Sequence, residues 1–191
     1  LGERRLLIKV DAQTPLLHVT FHAGSATDPM TLPLSILLNV LVGGESSRLH
    51  RAFVEEEQIA LSIDGFQMEG IDPGLVYFYL TLPPGTDIAA TEDRLLEELL
   101  RIADTGITEA ELNKARNIMI ADFWRRISTI NGKASALGNA EVFHGDYQHA
   151  FSLPNDLSAV SAEQIQAVAA AVFDRNKMTV GILRAREEGE Q

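Results

Sequence analysis

Five histidines, at positions 18, 22, 50, 144 and 149, are the side chains of this 191-residue sequence best suited to metal or proton chemistry, because it contains no cysteine. His18 and His22 form a His-x-x-x-His pair, a spacing that on a helix would set two imidazoles one turn apart around a metal ion. Their surroundings argue for a strand instead. Leu17, Val19 and Phe21 alternate with His18, Thr20 and His22, which places the apolar and polar sets on opposite faces. Four residues of strand span ~13 Å, too far for two ligands that must each lie ~2.0–2.1 Å from one ion. His18 and His22 therefore read as partly exposed structural histidines, with substrate contact from the polar face as their other use.

The segment His144-Gly-Asp-Tyr-Gln-His149 gathers two histidines and an aspartate, but no element fixes a third ligand, so it reads as a helix–loop junction. Gly43-Gly-Glu-Ser-Ser47 looks like a phosphate loop only superficially, since the Gly-Lys-Ser/Thr ending is missing. Its expected use is a sharp turn, with Ser46 or Ser47 capping a helix that runs through Glu57. Arg48, one turn into that helix, is either a structural partner of Glu55 or Glu56 or an anchor at a surface shared with another domain. Tyr77 and Tyr79 share one strand face, with Val76, Phe78, Leu80 and Leu82 on the other. They read as amphipathic packing or as exposed tyrosines that help hold an extended peptide.

Residues 5–10 and 16–23 are expected to be strands separated by the turn signal Asp11-Ala-Gln-Thr-Pro15. Asp28-Pro29 breaks the chain before an apolar helix over 34–42, which ends at Gly43-Gly44. Strands over 59–67 and 75–82 flank the loop Gly70-Ile-Asp-Pro-Gly74 and form an antiparallel pair. Leu95, Leu96, Leu99, Leu100 and Ile102 make one helical stripe. Leu112, Ala115, Met119, Phe123 and Ile127 make another, behind the capping box Thr108-Glu-Ala-Glu111. A second box, Ser161-Ala-Glu-Gln164, opens a helix with Ile165, Val168, Ala169 and Val172 buried, and a strand follows over 178–183. Strands at both ends around a helical middle imply an α+β class: a mainly antiparallel sheet covered on one face by helices. Residues 1–184 read as one domain and 185–191 as a tail or linker.

A formal charge of −11, with 16 basic residues dispersed among 27 acids, excludes a nucleic-acid backbone as partner. The near-neutral mean hydropathy belongs to a globular chain, and no apolar run reaches the ~20 residues of a spanning helix. The opening Leu1-Gly-Glu-Arg-Arg5 lacks an initiator Met and reads as a fragment of a longer precursor.

The block Val42-Gly-Gly-Glu-Ser-Ser-Arg-Leu-His-Arg51 resembles the Gly-Gly-x-Ser-Ser-Arg-Leu element of the pitrilysin/insulinase-type zinc metallopeptidases and mitochondrial processing peptidases. Further matches follow in order. Asp72-Pro-Gly-Leu75 with Val76-Tyr-Phe-Tyr79 resembles that family's Asp-x-Gly-Leu-aromatic strand. Gly106-Ile-Thr-Glu-Ala-Glu-Leu112 with Lys114-Ala-Arg116 resembles its Gly-x-Thr-x-x-Glu-Leu-x-x-Ala-Lys helix opening. Val160 to Ile165, then Met178 to Gly181, resemble the closing helix and strand.

The resemblance implies a LuxS/processing-peptidase-like half-domain. Members of this family need His-x-x-Glu-His on a helix to grip zinc and activate water, and no such string occurs here. The expected role is the non-catalytic half of a bipartite enzyme. No cofactor is expected in this chain, and zinc is expected in a partner half, either upstream in the same precursor or a separate subunit. The chain would complete a chamber and bind a peptide substrate. Some family members grip substrate with an Arg and a Tyr from the strand holding Tyr77 and Tyr79, and Val76 stands near the arginine's place. The alternative is a structural or assembly protein of the same fold. An enzyme of unrelated chemistry has no fixed nucleophile–base or carboxylate pair to support it. The periplasm would be the compartment if the precursor carries a bacterial export signal.

Overall fold

The alternation along residues 16–22 sets the plan of the fold. In the computed structural model, which describes residues 2–10 and 14–185, this segment is a central strand whose Leu17, Val19 and Phe21 are buried. Five strands make one sheet in the order β1-β5-β2-β4-β3: β1 (Arg4–Val10), β2 (Leu16–His22), β3 (Ser62–Met68), β4 (Leu75–Thr81) and β5 (Met178–Ala185). All pairings are antiparallel except β1 with β5. The C-terminal strand is thus inserted between the first two, with Arg4 opposite Thr179 on one side and Leu16 opposite Leu183 on the other.

Seven α-helices accompany the sheet among the described residues: α1 (Thr31–Val42), α2 (Arg48–His50), α3 (Ile88–Thr105), α4 (Glu109–Ile127), α5 (Ile130–His144), α6 (Leu153–Ala159) and α7 (Ala162–Val172). They bury one sheet face. Val76, Phe78 and Leu80 of β4 and Val180 of β5 join Leu37, Leu41, Leu95, Leu99, Ile165 and Val168 in one core. At its centre the Phe21 ring meets Phe173 at 5.3 Å and Phe78 at 6.4 Å, both edge to face, a favoured aromatic geometry. This is the α+β arrangement expected.

Both capping boxes are present. Glu111 N–H donates to Thr108 Oγ1 at 3.3 Å and Thr108 N–H donates back to Glu111 Oε2 at 2.8 Å. The same reciprocal pair joins Ser161 and Gln164. Each box satisfies helix N–H groups that have no partner inside the helix. On α3 the stripe Leu95, Leu96, Leu99 and Ile102 is buried, while Leu100 is 43% exposed, because it lies a further 100° round the helix from Leu99.

Several boundaries differ from expectation. α1 begins at Thr31, where the Thr31 hydroxyl donates to the Ser25 carbonyl at 2.7 Å. β3 begins at Ser62, and residues 59–61 link to it with only the Leu61 N–H reaching Thr81 O. β5 runs to Ala185, two residues past the strand end expected at 183; positions 186–191 and positions 11–13 of the turn lie outside the described residues.

The expected helix through Glu57 forms, but after one α-turn it widens into a π-helix over Arg51–Glu56. Neither serine caps it. Ser47 occupies the cap position without a side-chain bond, and the Ser46 hydroxyl instead accepts from Lys114 Nζ at 2.6 Å. Gly44 makes the turn into this helix at φ 95°, which costs a glycine nothing. The chain leaves the π-helix through Gln58 at φ 53°, the one non-glycine residue with positive φ among those described.

Candidate functional site

The sheet face away from the helices is open. Side chains of β2, β4 and β3 that alternate with the core residues project there, and the register lines them up in rows. One row runs Asp64, Tyr79, His18 and Gly181; the next runs Phe66, Tyr77, Thr20 and Thr179. The hairpin of β3 and β4 fixes this register through a tight closure at Gly74, where a Cβ would sit 1.9 Å from the Met68 carbonyl oxygen.

Four of these side chains form an aromatic group. Phe66 stacks on Tyr77 with ring centroids 4.8 Å apart and 16° between planes, and meets Tyr79 edge-on at 6.4 Å. His18 lies against Tyr79 at 5.8 Å. Tyr77 and Tyr79 are half-buried within this group, whereas Phe66 is 46% exposed. Beyond the Thr20–Thr179 and His18–Gly181 pairs, β1 adds Leu6 and Ile8, both largely exposed. The face therefore presents an aromatic wall, a strip of small side chains and an aliphatic border. Such a surface can take apolar side chains of an extended chain by contact, with the tyrosine hydroxyls available as polar handles.

The structure brings His18, Tyr77 and Tyr79 together and leaves out two other candidates. His22 is exposed at the end of β2, opposite Leu75 rather than a tyrosine. Arg48 is on the helix side. Its expected partners Glu55 and Glu56 are otherwise placed: Glu56 pairs with Arg51 at 3.0 Å and Glu55 lies 3.9 Å from His50. Arg48 instead reaches α4, where Nε and Nη2 donate to the two carboxylate oxygens of Glu111, the second bond at 2.8 Å. Four donations converge on Glu111: two from Arg48 and two from Thr108. The Arg48 bonds, aided by those from Thr108 and opposed by partial burial, hold its pKa down to about 2.

Phe66 escaped the sequence reading, although the alternation of Asp64, Phe66 and Met68 against Ile63 and Gly65 carried the signal. Val76, near the place expected of a substrate-gripping arginine, is fully buried, so that position points into the core and not toward the tyrosines.

The donor set does not fit zinc. His18 and His22 lie four residues apart on one strand, and among the described residues no group of three or more His, Asp or Glu side chains could hold a metal ion. His144 ends α5 just before the left-handed Gly145 turn, and its ring sits 3.8 Å from that of His149. Burial and the neighbouring His149 lower the His144 pKa. Among the described residues no helix is long and apolar enough to cross a membrane.

The Bacillus subtilis (strain 168) protein named uncharacterized zinc protease YmxG is 28% identical over 143 residues, 73% of this chain and 34% of its own length. This chain thus spans about a third of the curated relatives it matches. The inactive peptidase domain from Bordetella parapertussis has the same fold, with a TM-score of 0.83 at 24% identity, covering 96% of this chain and 97% of that one. A Helicobacter pylori protease aligns with a TM-score of 0.90 at 20% identity, over 96% of this chain and 44% of that one. At these identities the structures establish the fold alone. The family described as peptidase M16 inactive domain matches residues 1–119, more than half of the chain and running from β1 into α4, and the chain belongs to that family.

Proposed function

We propose that this domain is the metal-free half of a two-part zinc metallopeptidase. It completes the substrate chamber and holds peptide for a partner half that carries the zinc. The observation that carries this reading is the open sheet face with its aromatic group of His18, Phe66, Tyr77 and Tyr79. On the side of the sheet away from the helices Leu6, Ile8 and Phe66 keep large apolar side chains exposed, and an extended peptide can cover them with apolar side chains of its own. Arg48, locked to Glu111, has a structural part in this scheme and does not touch peptide.

In energetic terms the domain contributes substrate-binding energy and water exclusion, while the polarised water belongs to the partner. The test mixes this chain with the metal-bearing half of the same peptidase and follows cleavage of an unstructured peptide. Cleavage should rise on mixing, and KM should rise when the aromatic group is truncated. Full activity of the metal half alone, with no binding to this chain, would overturn the reading and leave the structural or assembly role.

A further inference from the structure

The Gly-Gly-Glu-Ser-Ser-Arg-Leu joint borders a cleft of about 600 Å³ on the helix side, shared with the end of α1, α2 and the π-helix after it, α3 and α4. That volume is within the usual range for small-molecule sites, roughly 300–1,000 Å³. Its charge runs against the rest of the molecule. In a chain of net charge −11, five cations line it, Arg48, Arg51, Arg94, Arg101 and Lys114, against three carboxylates.

The hydrogen bonds within the cleft leave donors over. Arg94 is spent on Glu57 and Glu98, and Arg48 uses two of its three nitrogens on Glu111. Arg51 gives only Nη2 to Glu56, and Arg101 only Nη2 to Glu98. An arginine has five N–H donors, so most of theirs are uncommitted. Lys114 bonds only the neutral Ser46 carbonyl and hydroxyl oxygens, at 3.2 and 2.6 Å, and has no carboxylate partner among the described residues.

A second observation points the same way. Ser47, 3% exposed and at the edge of the cleft, buries a hydroxyl that has no hydrogen-bond partner among the described residues, a costly state for a polar group. The carboxylates of the cleft are already ion-paired, Glu56 with Arg51, Glu98 with Arg94 and Arg101, and Glu111 with Arg48, so none of them offsets Lys114.

We infer that this cleft binds a small oxyanion, a phosphate or a polycarboxylate, held by Arg51, Arg101 and Lys114 with the Ser47 hydroxyl beside them. Guanidinium groups suit such ligands because their planar N–H pairs match two oxygens at once. The site is separate from the open sheet face and does not depend on the peptide-binding role.

The test is calorimetric titration of the 191-residue chain, at low ionic strength, with inorganic phosphate and separately with citrate. Saturable one-site binding is expected for at least one of them, and which one identifies the oxyanion class. Lys114→Glu and Arg51→Glu, both at exposed positions, should each weaken it by roughly tenfold or more while circular dichroism stays unchanged. Arg125→Glu makes the same charge change on the outer surface of α4 and should leave binding as it was. No saturable binding of either anion up to roughly 10 mM, or an equal loss in Arg125→Glu, would overturn the inference.

Discussion

The Arg48 guanidinium and the Glu111 carboxylate, 63 residues apart in sequence, meet in a two-bond fork, and the same carboxylate closes the capping box of α4. One side chain thus fastens the joint after α1 to the helix that carries Lys114 and starts that helix at the same time. The pair is mostly shielded, with side-chain exposures of 23% and 27%.

Glu111→Gln keeps the cap geometry and removes the charge. It should cost about 1.5–3 kcal/mol, the range for hydrogen bonds to charged groups. The pH dependence follows from the lowered pKa. Because Glu111 titrates at about 2 when folded and near 4.5 otherwise, the unfolded state binds the proton first, so stability falls as pH drops from above 4.5 toward 2. Urea midpoints measured from neutral pH down to pH 3 should decline more steeply for the native sequence than for Glu111→Gln. Parallel declines would exclude this pair as an acid-sensitive contact.

Gln58 holds a left-handed backbone where a side chain is unfavourable by roughly 1–2 kcal/mol. Gln58→Gly removes that strain and gives back about 0.5–1 kcal/mol in backbone entropy, so a net gain of up to about 1 kcal/mol is expected. Gln58→Val, with its branched Cβ, should be destabilising. Thermal unfolding of the three proteins orders them Gly, Gln, Val; any other order refutes the assignment of strain.

Adjacent residues of β4 should behave oppositely. Phe78→Ala empties a buried position and should cost about 3–5 kcal/mol. Tyr77→Ala and Phe66→Ala, on the open face, should leave the domain folded. In the assembled peptidase they should raise KM by roughly 3- to 10-fold, as expected for losing aromatic contacts worth about 0.5–1.5 kcal/mol each. Unchanged KM in both variants would remove this face from substrate binding.

Glu92 on α3 is 1% exposed and takes both its bonds from Arg5 of β1, one of them at 3.0 Å. Arg5→Met strands that carboxylate and should cost about 3–5 kcal/mol. Arg5→Met with Glu92→Met should recover most of the loss, since the penalty lies in the unpaired buried charge. Chemical denaturation of the two variants measures the difference, and equal losses would show that packing, not charge, governs the contact.

What could be read from sequence was local. Period-two alternation marked β2 and β4, and the boxes at Thr108 and Ser161 marked their helices, because each signal spans fewer than ten residues. The partner of Arg48 could not be read, since nothing near position 48 specifies an acid 63 residues on. Gln58 carries no turn signature, so its left-handed backbone was invisible. The tyrosines of the candidate site were visible from their strand, but Phe66 joins them only through the β3–β4 register. The cationic cleft is tertiary, because residues 39–56 meet Arg94, Glu98 and Arg101 of α3 and Glu111 and Lys114 of α4 only in the folded chain.

The place of β5 in the sheet has a consequence for synthesis. The first two strands touch the rest of the sheet in different ways: among the described residues β2 pairs with β4 and β5, whereas β1 pairs with β5 alone, and β5 follows the other four strands in sequence. A ribosome-bound chain stopped before Met178 therefore lacks the strand that pairs with β1 and carries β2 with an open edge, both able to pair with a foreign strand. Closure of this domain is a late, long-range event, and its rate depends on emergence of the final eight residues of strand, Met178–Ala185.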